Sequence, residues 1–174
     1  MCLLGNNTKS QVFLSYKMDW NRGKSLFGGR YIIESKLGEG GIGITYLARN
    51  QTSELRVIKT LKEEVINNRT WKVHRDKLRQ DFRSEGVRLA VCRHPHIVQI
   101  ENIFDEYELP CIVMEYIEGD DLGKRLREQG ILSEKEALLY TQQIGDALTV
   151  IHQKGLLHRD IKPRNIIIRA GKPE

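Results

Sequence analysis

Apolar residues along this chain recur first at a period of two and later at a helical period. Residues 31–37 read as a strand and a glycine cluster follows them. ITYLARN (44–50) alternates apolar with polar positions, and LRVIKTL (55–61) repeats the pattern. That alternation puts Leu55, Val57, Lys59 and Leu61 on one face of the third strand. Residues 76–92 carry Leu78, Phe82, Leu89 and Cys92 at helix-like spacings, and the turn RHPH ends them. VQIENIF and CIVMEYI read as two further strands separated by a loop around Glu108 and Pro110. The first half therefore predicts a five-stranded antiparallel sheet and one long helix.

At Gly119 the pattern changes. DLGKRLREQG predicts a short helix ending at Gly130. Ser133 and Glu136 have the spacing of a capping box, in which the serine side chain and the glutamate satisfy each other's backbone N–H groups. They open a helix over 134–154 whose buried stripe is Ala137, Tyr140, Thr141, Ile144, Ala147, Leu148 and Ile151, with Gly155 as its stop. A short strand, a polar loop and a last strand (166–169) follow. Residues 1–29 mix Asn, Ser, Lys and Gly with scattered apolar residues and read as a weakly ordered leader. The expected division is 1–29 leader, 30–117 sheet-rich lobe and 118–174 helical lobe.

Composition changes this picture little. Of the 174 residues 40% are hydrophobic and 29% charged, as in a globular domain, and the net charge is +5. Acidic residues are interspersed with basic ones throughout, so the charge reads as a solvated surface and no nucleic-acid partner is expected. The three cysteines are far apart with no C-x-x-C, which argues against a zinc site or disulfide framework and fits a reducing, cytoplasmic setting. No apolar run has the length of a membrane span, so none is expected. RGKS at 22–25 imitates the end of a Walker loop, but Met18 stands where the first glycine of that motif belongs.

Three stretches carry chemistry. LGEGGIGITYLA holds Gly38, Gly40 and Gly43 in G-x-G-x-x-G spacing, and glycine lets backbone N–H groups approach phosphates closely. A strand follows rather than a helix, so the loop is a hairpin. It reads either as a cover over phosphates or as a plain flexible turn. Lys59 sits in a strand among apolar neighbours, where an ammonium needs a partner, and Glu85 on the following helix is the candidate. The plainer reading is a surface lysine on an edge strand. HRDIKPRN (158–165) gathers Asp160, able to accept or orient a hydroxyl proton, Lys162, able to neutralise a phosphoryl group, and Asn165, whose amide oxygen suits Mg²⁺.

With these motifs in this order, residues 31–174 resemble the eukaryotic-type (Hanks-type) protein kinases, and GGIGITYLA looks most like the bacterial, in particular cyanobacterial, members. The resemblance implies an α+β kinase-like fold and transfer of the ATP γ-phosphate to a protein hydroxyl with Mg²⁺. Lys162, two residues after Asp160, resembles the serine/threonine-specific pattern. It further implies that Asp160, Lys162, Asn165, Lys59 and Glu85 act in catalysis and that Asn165 holds the metal. The nucleotide pocket would comprise Leu37, Gly38, Glu39, Gly40, Gly41, Ile42, Gly43, Thr45, Val57 and Lys59 from the sheet. Met114 would be its gatekeeper, backbone groups of Glu115 and Ile117 would meet the adenine, Asp121 would lie near the ribose, and Ile167 would complete the lining.

The chain departs from the family pattern in places. Thr45 replaces the usual valine over the adenine, Val57 the usual alanine before Lys59, and Gly86 follows Glu85 at a helix-propensity cost of about 1 kcal/mol relative to Ala. Only nine residues follow Asn165, so the family's D-F-G motif is absent from the sequence. A kinase truncated before D-F-G is the expectation, holding a complete first lobe and only the first part of the helical lobe. The expected partners are ATP, a protein Ser/Thr hydroxyl and a second polypeptide supplying the rest. A non-catalytic ATP- or protein-binding module and an unstable gene remnant are the alternatives.

Overall fold

A computed structural model of the chain describes residues 20–67 and 74–171. The predicted strands form as β2 (Tyr31–Glu39), β3 (Gly43–Asn50), β4 (Leu55–Leu61), β5 (Ile100–Glu106) and β6 (Leu109–Glu115). To these the structure adds β1 (Ser25–Leu26), so the sheet has six strands, ordered β1-β2-β3-β4-β6-β5 with every neighbour antiparallel. Short helix α1 (Glu63–Asn67) precedes α2 (Arg75–Ala90), the predicted long helix. Beyond them come β7 (Gly119–Asp121), α3 (Leu122–Gln129), α4 (Glu134–Gln153), a 3-10 turn (Pro163–Asn165) and β8 (Ile167–Arg169).

Side-chain alternation divides the sheet into two faces. Ile44, Tyr46 and Ala48 of β3 are buried, as are Ile58 and Thr60 of β4 and Cys111 and Val113 of β6. This face is filled by residues expected in the leader. Trp20 is buried with its ring 5.1 Å from that of Tyr46, Leu26 is fully buried, and Phe27 stacks on Phe104 at 4.6 Å. Tyr31 also stacks on Phe104, at 5.7 Å, and the Phe27 N–H donates to Glu106 at 2.8 Å. Trp20, Leu26 and Phe27 thus belong to the core, their apolar and ring contacts outweighing the exposed polar residues between them. The rest of the expected leader, 1–19, lies outside the described residues, as do 172–174.

Cys111 lies at the centre of this face, 3.8 Å from Thr60 Oγ1, and burial pushes its thiol up to about 12. At pH 8 about one such thiol in ten thousand is ionised, so iodoacetamide is expected to label Cys111 at least a hundredfold more slowly in the folded chain than after unfolding. Peptide mapping of the labelled protein checks this.

The opposite face carries rows of residues in register: Thr45, Lys59 and Ile112 in one, Leu47, Val57 and Met114 in the next. Helix α2 packs on this face through Phe82 and Gly86. A Cβ on Gly86 would lie 2.9 Å from Ile112 Cδ1 and 3.0 Å from Ile103 Cδ1, so the glycine permits a close helix–sheet approach that repays its poor helix propensity.

In the helical part the capping box of Ser133 and Glu136 is present, with the Ser133 N–H donating to Glu136 Oε2 at 3.1 Å and the Glu136 N–H to Ser133 Oγ at 3.3 Å. Of the predicted α4 stripe, Ala147 and Ile151 are buried, while Ala137 and Thr141 are exposed. The short strand expected after Gly155 does not form. Leu157 is exposed there, and Arg159 takes a left-handed φ of 60° that breaks extended geometry.

Candidate active site

The glycine hairpin closes between β2 and β3, with the Gly40 N–H donating to the Gly43 carbonyl at 2.8 Å. Gly43 is pressed onto the adjoining strand, since a Cβ there would sit 3.0 Å from the Thr60 carbonyl. Around Gly38 and Gly41, by contrast, nothing stands within 4 Å of an added Cβ, and neither has a positive φ. The fold itself does not demand glycine at these two positions. The space above them is open, as a hairpin covering phosphates requires.

Lys59 departs from expectation. It is exposed, and its Nζ stands 5.9 Å from the centre of the Phe82 ring. Among the described residues no ion pair joins it to Glu85, which is exposed on α2. The reason is the face that α2 buries. Phe82 and Gly86 point at the sheet, and Glu85, 60° around the helix from Phe82, falls at the margin. Lys59 therefore projects from the part of this face that α2 leaves uncovered, with the Phe82 ring beside it.

The catalytic-loop candidates do come together. Asp160 Oδ2 lies 2.8 Å from Lys162 Nζ, and Asn165 Nδ2 donates to the same Oδ2 at 2.9 Å and to the Asp160 carbonyl at 2.8 Å. The 3-10 turn at Pro163 makes this possible by folding Asn165 back over Asp160, its N–H bonded to the Lys162 carbonyl at 2.9 Å. Lys162 first, then Asn165, holds the Asp160 carboxyl below the ordinary carboxylate range. With Nδ2 so engaged, Asn165 Oδ1 is left as an acceptor, a hard oxygen of the kind Mg²⁺ takes. Among the described residues no group of three His, Cys, Asp or Glu side chains could hold a metal alone. The donor set thus fits Mg²⁺ only as an ion that arrives with phosphates and keeps waters, its usual habit.

The segment between the two clusters is ordered by pairing. The Glu115 N–H donates to the Gln99 carbonyl at 3.0 Å, and Glu115 Oε1 accepts from the Gln99 N–H at 2.8 Å. The backbone of Ile117 has no hydrogen-bond partner among the described residues. Met114 and Val57 are paired across β6 and β4, and Leu37, Ile42 and Ile167 are exposed apolar side chains. Asp121, expected near the ribose, uses Oδ1 to cap α3 through the Lys124 N–H at 2.9 Å. Strands β7 and β8 pair Gly119 with Arg169 and Asp121 with Ile167, tying the catalytic loop to this segment, and Arg169 reaches Glu115 at 3.7 Å. A shallow hollow of about 240 Å³ at Ala90 and Ile100 lies away from both clusters, beside the Glu101 carboxylate, and is not a phosphate site.

One charged residue escaped the sequence reading. Lys62 lies 2.6 Å from Glu39 Oε1 in the glycine hairpin. The signal was available: a lysine just past the end of the strand that carries Lys59, beside a hairpin holding a carboxylate.

Comparison with known proteins agrees with this geometry. The protein kinase domain model matches residues 31–173. Serine/threonine-protein kinase PkaA of Streptomyces coelicolor is 36% identical over 154 residues, covering 82% of this chain and 27% of the relative. Serine/threonine-protein kinase PrkC of Bacillus subtilis is 37% identical over 141 residues, covering 80% of this chain and 21% of the relative. Among solved structures, a Mycobacterium tuberculosis PknI kinase domain superposes with a TM-score of 0.71 at 25% identity, over 88% of this chain and 60% of that one. The PpkA-294 apo form reaches a TM-score of 0.74 at 22% identity, over 86% of this chain and 57% of that one, and speaks to the fold alone. The chain belongs to the protein kinase domain family, in its bacterial serine/threonine-kinase branch. It spans about a quarter of the length of the curated relatives it matches. No helix among the described residues is long and apolar enough to cross a membrane.

Proposed function

We propose that this chain binds Mg-ATP under its glycine hairpin and takes part in transferring the γ-phosphate to a serine or threonine hydroxyl of a protein. The observation that carries the reading is the bonded cluster of Asp160, Lys162 and Asn165 on an exposed loop. In this chemistry Asp160 Oδ2 accepts the hydroxyl proton while the hydroxyl oxygen bonds to the γ-phosphorus, and the β–γ bridging oxygen leaves with ADP. Lys162 then balances charge on the transferred group, and Lys59 steadies the phosphates. Mg²⁺, when bound, supplies charge neutralisation at the phosphates, and Asn165 Oδ1 would hold it. Cytoplasmic placement and further kinase polypeptide packing on exposed Ile131 and Leu138, in the same protein or another, belong to the same proposal.

The test is transfer of radiolabelled γ-phosphate to casein, alongside a thermal melt with and without Mg-ATP. Label above background and an upward shift support the proposal. A ligand at 100 times its Kd adds about 2.7 kcal/mol, a readily measured shift. A melt that ignores Mg-ATP overturns it.

A second reading, nucleotide binding without transfer, draws on one observation: Lys59 faces Phe82 and not Glu85. The two readings share a prediction. Lys59→Met is expected to weaken Mg-ATP binding about tenfold, the effect of losing a hydrogen bond to a charged group, as isothermal titration calorimetry would show. Unchanged affinity would remove Lys59 from the site. A shift with Mg-ATP but no label under any condition would favour the second reading.

A further inference from the structure

Resting on the nucleotide-binding reading, we propose that Lys62 and Glu39 form a clasp that positions the glycine hairpin over the phosphates. Lys62 grips both sides of the hairpin. Its backbone N–H donates to the Ile42 carbonyl at 2.8 Å on one side, and its ammonium lies 2.6 Å from Glu39 Oε1 on the other. The Lys62 side chain is only 15% exposed, so this contact is less open to solvent than most surface pairs. The second Glu39 oxygen is bonded by Lys36 from β2. Together the two lysines pull the Glu39 carboxyl down to about 2, Lys36 contributing the larger share.

The consequence for binding is geometric. Lys62 directly follows β4, which carries Lys59, so the clasp fixes the glycine backbone relative to the strand that presents the phosphate-binding ammonium. A Cβ added at Gly38 or Gly41 would meet nothing within 4 Å, so neither glycine is wedged in place by neighbouring side chains. The β2–β3 pairing ends at Gly38 with Thr45 and Glu39 with Ile44, and beyond it the hairpin tip is placed by the inner hydrogen bond at Gly40, the pressed Gly43 and the two grips of Lys62. Holding the donors in place before the ligand arrives removes part of the ordering cost of binding. Lys62 and Glu39 act through the hairpin, and so are positioning residues. A bare Glu39 carboxylate beside phosphates would repel them, which gives the idea a sharp opposite.

The experiment uses the full chain, with Lys62→Met, Glu39→Gln, their double variant and the conservative Lys62→Arg. Calorimetry gives Mg-ATP affinity, and amide hydrogen exchange without nucleotide follows Gly40 and residue 62. Lys62→Met and Glu39→Gln are each expected to weaken binding about threefold, within the range of an exposed ion pair. The double variant should be no weaker than either single one, and Lys62→Arg should keep wild-type affinity. Exchange at Gly40 should quicken in both single variants and stay slow in Lys62→Arg. Tighter binding by Glu39→Gln, additive losses in the double variant, or unchanged exchange at Gly40 would each overturn the clasp. If the wild-type chain binds no Mg-ATP, the functional reading fails, and the exchange result alone decides whether the clasp exists.

Discussion

Replacing Asp160 with asparagine is expected to lower phosphate transfer by roughly two to four orders of magnitude, the usual contribution of a positioned acid–base group, with Mg-ATP affinity held within about twofold. Asparagine keeps the shape and one acceptor oxygen but removes the charge. The ion pair with Lys162 at 2.8 Å is lost, yet both partners are exposed, so the fold should hardly register it. Held below its ordinary range by Lys162 and Asn165, the Asp160 carboxyl stays ionised throughout the neutral region. The sign for pH follows. The group's folded value is lowered, so its contribution is fully present above its ordinary value and fades only as the pH falls towards the folded one. Initial rates with labelled ATP, set against calorimetry, test both halves. A variant that retained its rate would remove Asp160 from the chemistry, and one that lost ATP affinity in proportion would make it a binding residue.

The sequence exposed what repeats and what lies close along the chain. Strands β3 and β4 were legible because their apolar residues alternate, β6 because it is a short continuous apolar run, and α4 because Ser133 and Glu136 sit three apart at its start. The catalytic loop was legible for the same reason: Asp160 and Asn165 are five residues apart, and Pro163 favours the turn that joins them. Strand β1 was hidden because two residues cannot show a period, and Trp20 and Phe27 declare themselves only when Tyr46 and Phe104 arrive from distant strands. Lys59 and Glu85 went astray for a related reason. Spacing says that a lysine and a glutamate could meet, but the rotation of α2 is set by Gly86 lying against Ile112 and Ile103. That is a packing fact with no local signature. The same holds for Lys62, whose reach to Glu39 depends on the register of three strands.

The strongest structural constraint outside the core falls on Gly119, and Gly119→Ala is expected to cost about 3 kcal/mol or more. Two effects add. The residue has φ +151°, a conformation side-chain-bearing residues rarely adopt, and such strain costs about 1–3 kcal/mol. A Cβ there would also lie 1.9 Å from the Ile168 carbonyl oxygen and 3.1 Å from the Ala170 N–H nitrogen. Backbone cannot rotate away as a side-chain tip can, so β7 and β8 must part. Their separation would strain the Ala170 N–H bond to the Glu118 carbonyl, now 2.7 Å, and the Leu122 N–H bond to the Ile166 carbonyl, now 2.8 Å. Those bonds anchor the catalytic loop beside the linking segment, so phosphate transfer should fall along with stability. Gly130→Ala is the matched control, with φ +82° but nothing within 4 Å of the added carbon. At about 2–4 °C per kcal/mol for a chain of this size, thermal melts should put Gly119→Ala some 6–12 °C below wild type and Gly130→Ala about 2–4 °C below. Equal shifts in the two variants would mean that the pairing of β7 with β8 gives way without cost, and that the catalytic loop owes its position to the Pro163 turn alone.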